Sequence, residues 1–115
     1  MVKHSPAYLD LVFHALSDAT RRDMLNRISQ GTVSLSGLAS TYSMSLPAVT
    51  KHLSVLEACG LVASDKVGRI RKCELNAAPL KGAMDWIDGY RPFWEGQLSN
   101  LEKYLSMDVE GKNIE

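Results

Sequence analysis

The sequence predicts a mainly α-helical chain with one small β hairpin, and three observations carry that reading. Apolar residues recur at i, i+3, i+4 and i+7 in several separate stretches, the period of helices buried along one side. Residues 61–75 change instead to strand-like segments joined through Val67-Gly68. Caps and breakers then cut the helical pattern into pieces, with Pro6, Asp18, Ser45 and Pro79 at starts and Gly31 and Gly60 at ends.

Each element follows in order. Residues 1–5 are expected to fray, and Pro6 opens a helix carrying Leu9, Val12, Phe13 and Leu16 on one face. Asp18 caps a second helix over 19–30, with Met24, Leu25 and Ile28 as its apolar side and Gly31 closing it. Arg21 and Arg22 fall in the first turn of that helix, where the macrodipole disfavours cations. Exposed cations there are cheap to tolerate, and a nearby phosphate would account for them. Thr32-Val33-Ser34 reads as a stub of strand, and 35–42 as a short helix with Leu35, Leu38, Ala39 and Tyr42 inward.

Residues 45–60 form the helix around which the chain is organised. Val49, Leu53 and Leu56 share one side at i, i+4, i+7, while Ala48, Thr50, Lys51 and Ser54 lie off it. Ser45 can cap the start with Pro47 just inside, and Gly60 can end it in a left-handed turn. An open side that is small and lightly basic, rather than studded with Glu/Lys pairs, suits close approach to a major groove. Two short helices joined by 43–45 have the outline of a helix-turn-helix. The hairpin that follows carries Lys66, Arg69, Arg71 and Lys72, the make-up of a wing lying along a phosphate backbone. Cations also protect an exposed strand edge from aggregation, which is the plainer reading of the same residues.

Residues 76–79 link to a last helical region. Leu80, Met84, Ile87, Trp94, Leu98, Leu101 and Leu105 follow a 4–3 spacing, with Arg91 in the one missing seam position. Trp86, Tyr90, Phe93 and Tyr104 widen the stripe, and Pro92 predicts a kink or break near 89–92. With the first helix, this stretch could form a two-fold dimer interface.

Composition sets the bounds. A chain of 115 residues fits one domain, placed at 1–105, with 106–115 expected as a polar, disordered tail. An apolar fraction of 45% and a charged fraction of 23% are ordinary for a soluble globular chain. No apolar run approaches the ~18–20 residues of a membrane span, and the start lacks a signal-peptide pattern. The expectation is a cytoplasmic protein with no membrane partner. Net charge is zero, yet residues 21–81 hold nine Lys/Arg against four acids, an excess of five balanced by the two ends. That segregation gives one face to a polyanion and another to protein contacts. Two cysteines, Cys59 and Cys73, make no disulfide framework. No nucleophile with an adjacent base, phosphate loop or paired carboxylates appears, so the chain is not read as an enzyme and no cofactor is assigned.

Residues 15–22 (ALSDATRR), Leu38-Ala39, 45–56 (SLPAVTKHLSVL), Gly60-Leu61-Val62 and Gly68-Arg69 resemble the ArsR/SmtB family of bacterial winged-helix repressors. The match runs in order from about residue 8 to 105. The resemblance implies a winged helix-turn-helix homodimer, built on the first and last helices, that holds its operator until a signal releases it. Members that sense metal through a Cys-x-Cys pair have those cysteines where Ser34 and Ser36 stand here, and hydroxyls are poor ligands for soft metals. Members that bind zinc between their last helices need a histidine there, and none follows His52. Both metal sites are rejected, and the ending Arg91-Pro92-Phe93-Trp94-Glu95 looks like a metal-free branch. His4 and His14 are read as surface histidines.

The expected function is sequence-specific binding of double-stranded operator DNA by a homodimeric repressor. Ser45, Ala48, Thr50, Lys51, His52 and Ser54 are placed in the groove, though His52 could equally bond a carbonyl of its own motif. Lys66, Arg69, Arg71, Arg21 and Arg22 are placed on the backbone. Leu9, Val12, Phe13, Trp86, Tyr90, Phe93, Trp94, Leu98, Leu101 and Leu105 are placed at the dimer interface. Three alternatives stay open: a thiol-redox switch through Cys59 and Cys73, a small-molecule effector in the aromatic run 86–94, and a winged helix used only for protein association.

Overall fold

The computed structural model describes residues 5–114, with side chains through Ser106. The order is α1 (Pro6–Leu16), α2 (Ala19–Ser29), β1 (Val33–Ser34), α3 (Leu35–Thr41), α4 (Leu46–Ala58), β2 (Val62–Val67), β3 (Ile70–Leu75), α5 (Ala78–Asp88) and α6 (Arg91–Ile114). The chain divides into two compact units, one through Ala83 and one from Met84. The expectation of frayed residues 1–5 lies outside the described residues except for Ser5, which caps α1 by accepting from the Tyr8 N–H at 3.3 Å.

The other helices of the first unit start in the same way. Asp18, Ser34 and Ser45 each offer a side-chain oxygen to the backbone N–H three residues on, in Arg21, Gly37 and Ala48. Helix α4 ends in a Schellman turn: Leu61 N–H donates to Leu56 C=O and Gly60 N–H to Glu57 C=O, with Gly60 at φ 79°. Leu56 and Leu61, the apolar pair of that motif, are both fully buried. They belong to one core with Val12, Met24, Ile28 and Leu53, and each such side chain contributes ~1.5–3 kcal/mol on burial.

That core overturns one expectation. Val12 is 0% exposed and packs inside its own chain, so it is not free for a dimer surface. An 11-residue helix buries one narrow stripe, and Val12 and Ala15 occupy its centre.

Strands β2 and β3 form the hairpin, with Val67 opposite Ile70 and Gly68-Arg69 as a two-residue loop. Gly68 has φ 64° and no other residue but glycine has positive φ among those described, the pattern of a II′ turn. The sheet has a third strand, beyond the expected hairpin: β1 lies on the far side of β3, Val33 opposite Cys73 and Ser34 opposite Lys72. A two-residue strand has no period of its own to reveal its partner.

In the second unit the helical region breaks after Asp88, where the expected interruption falls, and α6 restarts at Arg91 with Pro92 in its first turn. Trp86 and Tyr90 rings stand 5.1 Å apart, Tyr90 and Phe93 6.3 Å. Arg91 bridges Asp88 and Glu95 and lies 5.4 Å from the Trp94 ring. The helix continues to Ile114, where a disordered tail is expected from residue 106. No proline follows Pro92 to stop it.

Candidate nucleic-acid interface

Helix α4 has the two faces its sequence predicts. Val49, Leu53 and Leu56 are 0% exposed, while Ser45, Lys51 and Ser54 are exposed and Ala48, Thr50 and His52 half-buried. Ser45 Oγ is engaged as the cap, and Ser54 Oγ donates to Thr50 C=O at 2.9 Å. Lys51 has no hydrogen bond or ion pair among the described residues. Its ammonium is therefore available to an anion.

A cluster outside the sequence reading holds the first half of the helix pair. Tyr42, just after α3, donates its hydroxyl to Asp23 Oδ2 on α2 at 2.5 Å, and Arg27 Nε donates to the same oxygen at 2.8 Å. The Arg27 guanidinium also lies 5.7 Å from the Tyr42 ring centre. Burial, helped by the Asp23 charge, pushes the Tyr42 phenol up to about 12. The Tyr42 hydroxyl and then Arg27 hold the Asp23 carboxyl below its ordinary value. A tyrosine following an i, i+4 Asp/Arg pair by some twenty residues carries no periodic signal, so this tie is visible only in the fold.

The wing is tied to α4 by charge. Arg71 Nη2 donates to both carboxylate oxygens of Glu57, at 2.7 and 2.9 Å. Lys66 is the cross-strand partner of Arg71 and so shares its face of the ribbon. Lys66 and Arg69 are exposed and make no ion pair among the described residues. Arg71, expected on the backbone, is instead half-buried with its charge answered by Glu57.

Arg21 differs more sharply from its expectation. It is 8% exposed, its Nε donates to Ala15 C=O at 2.8 Å and its Nη2 to His14 C=O at 2.9 Å. Arg22 Nη1 reaches Leu16 C=O at 2.7 Å but stays exposed. These carbonyls belong to the last turn of α1, where the intrahelical ladder runs out, and His14 C=O also accepts from the Ser17 N–H and hydroxyl. The cations placed against the α2 dipole thus serve the negative end of α1 across a two-residue link. Arg21 is a clamp inside the fold, nearly buried and largely withdrawn from any phosphate.

With this geometry in place, comparison with known proteins decides the family. Residues 18–64 match the family model described as "Bacterial regulatory protein, arsR family". The uncharacterized HTH-type transcriptional regulator YuzN of Bacillus subtilis is 39% identical over 87 residues, covering 69% of this chain and 95% of that protein. The chain belongs to the ArsR family. The transcriptional repressor SdpR of Bacillus subtilis is 28% identical over 76 residues, 66% of this chain and 84% of its own. An ArsR-like transcriptional regulator from Rhodococcus sp. RHA1 superposes with a TM-score of 0.71 at 34% identity, covering 92% of this chain and 97% of that one. The fold is accordingly the winged helix-turn-helix of ArsR regulators, and these relatives are regulators of transcription rather than enzymes.

Within this ArsR chain, Ser34 and Ser36 sit with Oγ atoms 3.5 Å apart, and Ser34 Oγ already caps α3. Among the described residues no three His, Cys, Asp or Glu side chains gather as metal ligands. Cys59 and Cys73 are both free and buried, and burial pushes the Cys59 thiol above its ordinary value. A buried thiol with a raised pKa is a poor nucleophile, which counts against the redox alternative. No helix of the described residues is long and apolar enough to cross a membrane.

Of the residues expected at a dimer interface, Leu9 and Phe13 are half-buried, Phe13 against the core. Trp86, Tyr90, Phe93, Trp94, Leu98, Leu101 and Leu105 are 38–71% exposed. Leu11, off the apolar stripe of α1, is 46% exposed.

Proposed function

We propose that this ArsR regulator is a homodimeric, metal-independent repressor that reads a two-fold symmetric operator with α4 and is released by a signal still to be identified. The observation that carries the reading is Lys51. It stands exposed on a capped helix with no ion-pair partner among the described residues, between Thr50 and His52 and one turn before Ser54 and Val55. No carboxylate stands three or four residues to either side of it, where Pro47, Ala48, Ser54 and Val55 lie, so no pair along the helix answers its charge. Lys66 and Arg69 extend the same unanswered positive charge along the wing, where they take backbone phosphates. Ser45, Ala48, Thr50 and Ser54 complete the groove-facing set.

The second unit supplies the reason for a dimer. Its aromatic and leucine side chains are large and exposed and recur every three or four residues, the kind of apolar surface that marks an interaction site. A second copy covers it through an isologous contact and brings two α4 helices to one duplex face. Half-sites are then centred about one helical turn, ~10–10.5 bp, or a multiple of it apart.

Selection of bound duplexes from a randomised pool, followed by sequencing and sedimentation, tests this reading. The expected product is a two-fold symmetric sequence bound by two chains. An enriched sequence with no symmetry, or one chain per duplex, contradicts it.

A further inference from the structure

Arg21 has a third arm. Besides its two bonds to α1 carbonyls, Nη1 lies 3.3 Å from His52 Nδ1 on α4. A guanidinium donates five N–H groups and accepts nothing, so the contact is a hydrogen bond only if Nδ1 accepts. The one proton of the neutral ring then sits on Nε2. The competing arrangement, Nδ1–H toward Asp18, is too long at 3.8 Å, and that Oδ2 already accepts the Arg21 backbone N–H at 3.0 Å.

The other end of the ring is open. Nε2 has no hydrogen-bond partner among the described residues, and none of their buried side-chain nitrogens or oxygens lacks one. Nε2 therefore reaches solvent, on a side chain 25% exposed and next to Lys51. Left to itself an imidazole can offer a donor or an acceptor by changing tautomer. Held by Arg21, it offers a donor.

We propose that Arg21 is a positioning residue that fixes the tautomer of His52, so that α4 presents an obligate Nε2–H donor to a hydrogen-bond acceptor on the operator. The acceptor is a purine N7 at a base edge or a phosphate oxygen, and donor groups such as adenine N6 and cytosine N4 are refused. This rests on the operator-binding reading above, and it gives His52 a defined role where the sequence left two. It also explains why an arginine is kept at a nearly buried site: lysine has no planar fork to span two carbonyls and a ring nitrogen at once.

Nitrogen-15 correlation spectra of the imidazole in the DNA-free chain test the tautomer directly, at about pH 8 where ordinary histidines are neutral. The His52→Ala spectrum assigns the signal. The expected ring is protonated at Nε2, and Arg21→Lys turns it into a mixture of tautomers. Arg21→Lys keeps the charge, so the wild-type spectrum stands as the primary reading even where that variant folds poorly. The second arm uses the selected duplex with single 7-deazapurine or methylphosphonate substitutions. One substitution weakens wild-type binding by about tenfold and is silent in His52→Ala, the deazapurine marking a base edge and the methylphosphonate a phosphate. A wild-type ring protonated at Nδ1 overturns the inference whatever the chain binds. The expected tautomer, with every substitution weakening wild type and His52→Ala alike, overturns the role of His52. Absence of all duplex binding overturns the operator reading itself.

Discussion

Arg71 and Glu57 join the wing to the second helix of the motif: one guanidinium nitrogen on β3 donates to both oxygens of a carboxylate on the last turns of α4. The pair is partly solvated, so its removal by Arg71→Ala or Glu57→Gln lowers unfolding stability by only about 0.5–1 kcal/mol. Its larger effect is on wing position. Glu57→Gln leaves Arg71 without its partner and frees a cation, so operator affinity rises in low salt or holds while its salt dependence steepens. Measuring affinity against salt for both variants checks this, and a shallower slope for Glu57→Gln contradicts it.

Tyr42 reports on the tie between α2 and α3. Its folded-state pKa of about 12 lies above the ordinary phenol value near 10, so folding favours the neutral hydroxyl. The stabilisation is whole below about pH 10 and is lost as pH rises from there through about 12. Asp23 works in the opposite sense: its lowered pKa gives stability that is present above the ordinary carboxyl range and lost as pH falls below it. Tyr42→Phe costs roughly 1 kcal/mol at neutral pH, and the gap from wild type closes as the medium is made alkaline. Denaturant midpoints across pH measure both.

The thiols are protected by burial. Cys59 and Cys73 should react with an alkylating reagent only at the rate of local or global opening, and alkylation should become fast in denaturant. Oxidant should leave operator binding unchanged in the native protein. Fast native alkylation of both, with loss of binding, would restore the redox alternative.

Two glycines separate conformation from space. An added methyl at Gly68 meets nothing within 4 Å, but its φ of 64° is one that alanine tolerates poorly, so Gly68→Ala destabilises by about 1 kcal/mol. Gly96 also has open space, and it lies inside α6 without a positive φ. Gly96→Ala therefore stabilises by roughly 0.4–1 kcal/mol. Thermal unfolding of the two variants should move in opposite directions.

Much of this architecture is legible along the chain because its signals are local. Ser45, Pro47 and Gly60 bound α4 by cap, ring and left-handed turn, and the spacing of Val49, Leu53 and Leu56 gives its buried side. Asp18 acts over three residues, a reach short enough to read directly from the chain. What escapes is whatever depends on the packing of separate elements. Arg21 looks misplaced on its own helix and becomes intelligible only when the end of α1 stands two residues before the start of α2. That short link was the available clue: a cation in the first turn after it faces the carbonyls of the preceding helix. Val12 shows the converse limit, since a stripe reads alike whether it faces its own core or another chain.

Operator recognition by α4 and the wing is decided by the salt dependence of binding to the selected operator for wild type, Lys51→Ala and Arg69→Ala. The logarithm of the affinity should fall linearly with the logarithm of salt concentration, and each substitution should weaken binding and reduce the slope by about one. Affinity and slope unchanged by both substitutions would contradict it.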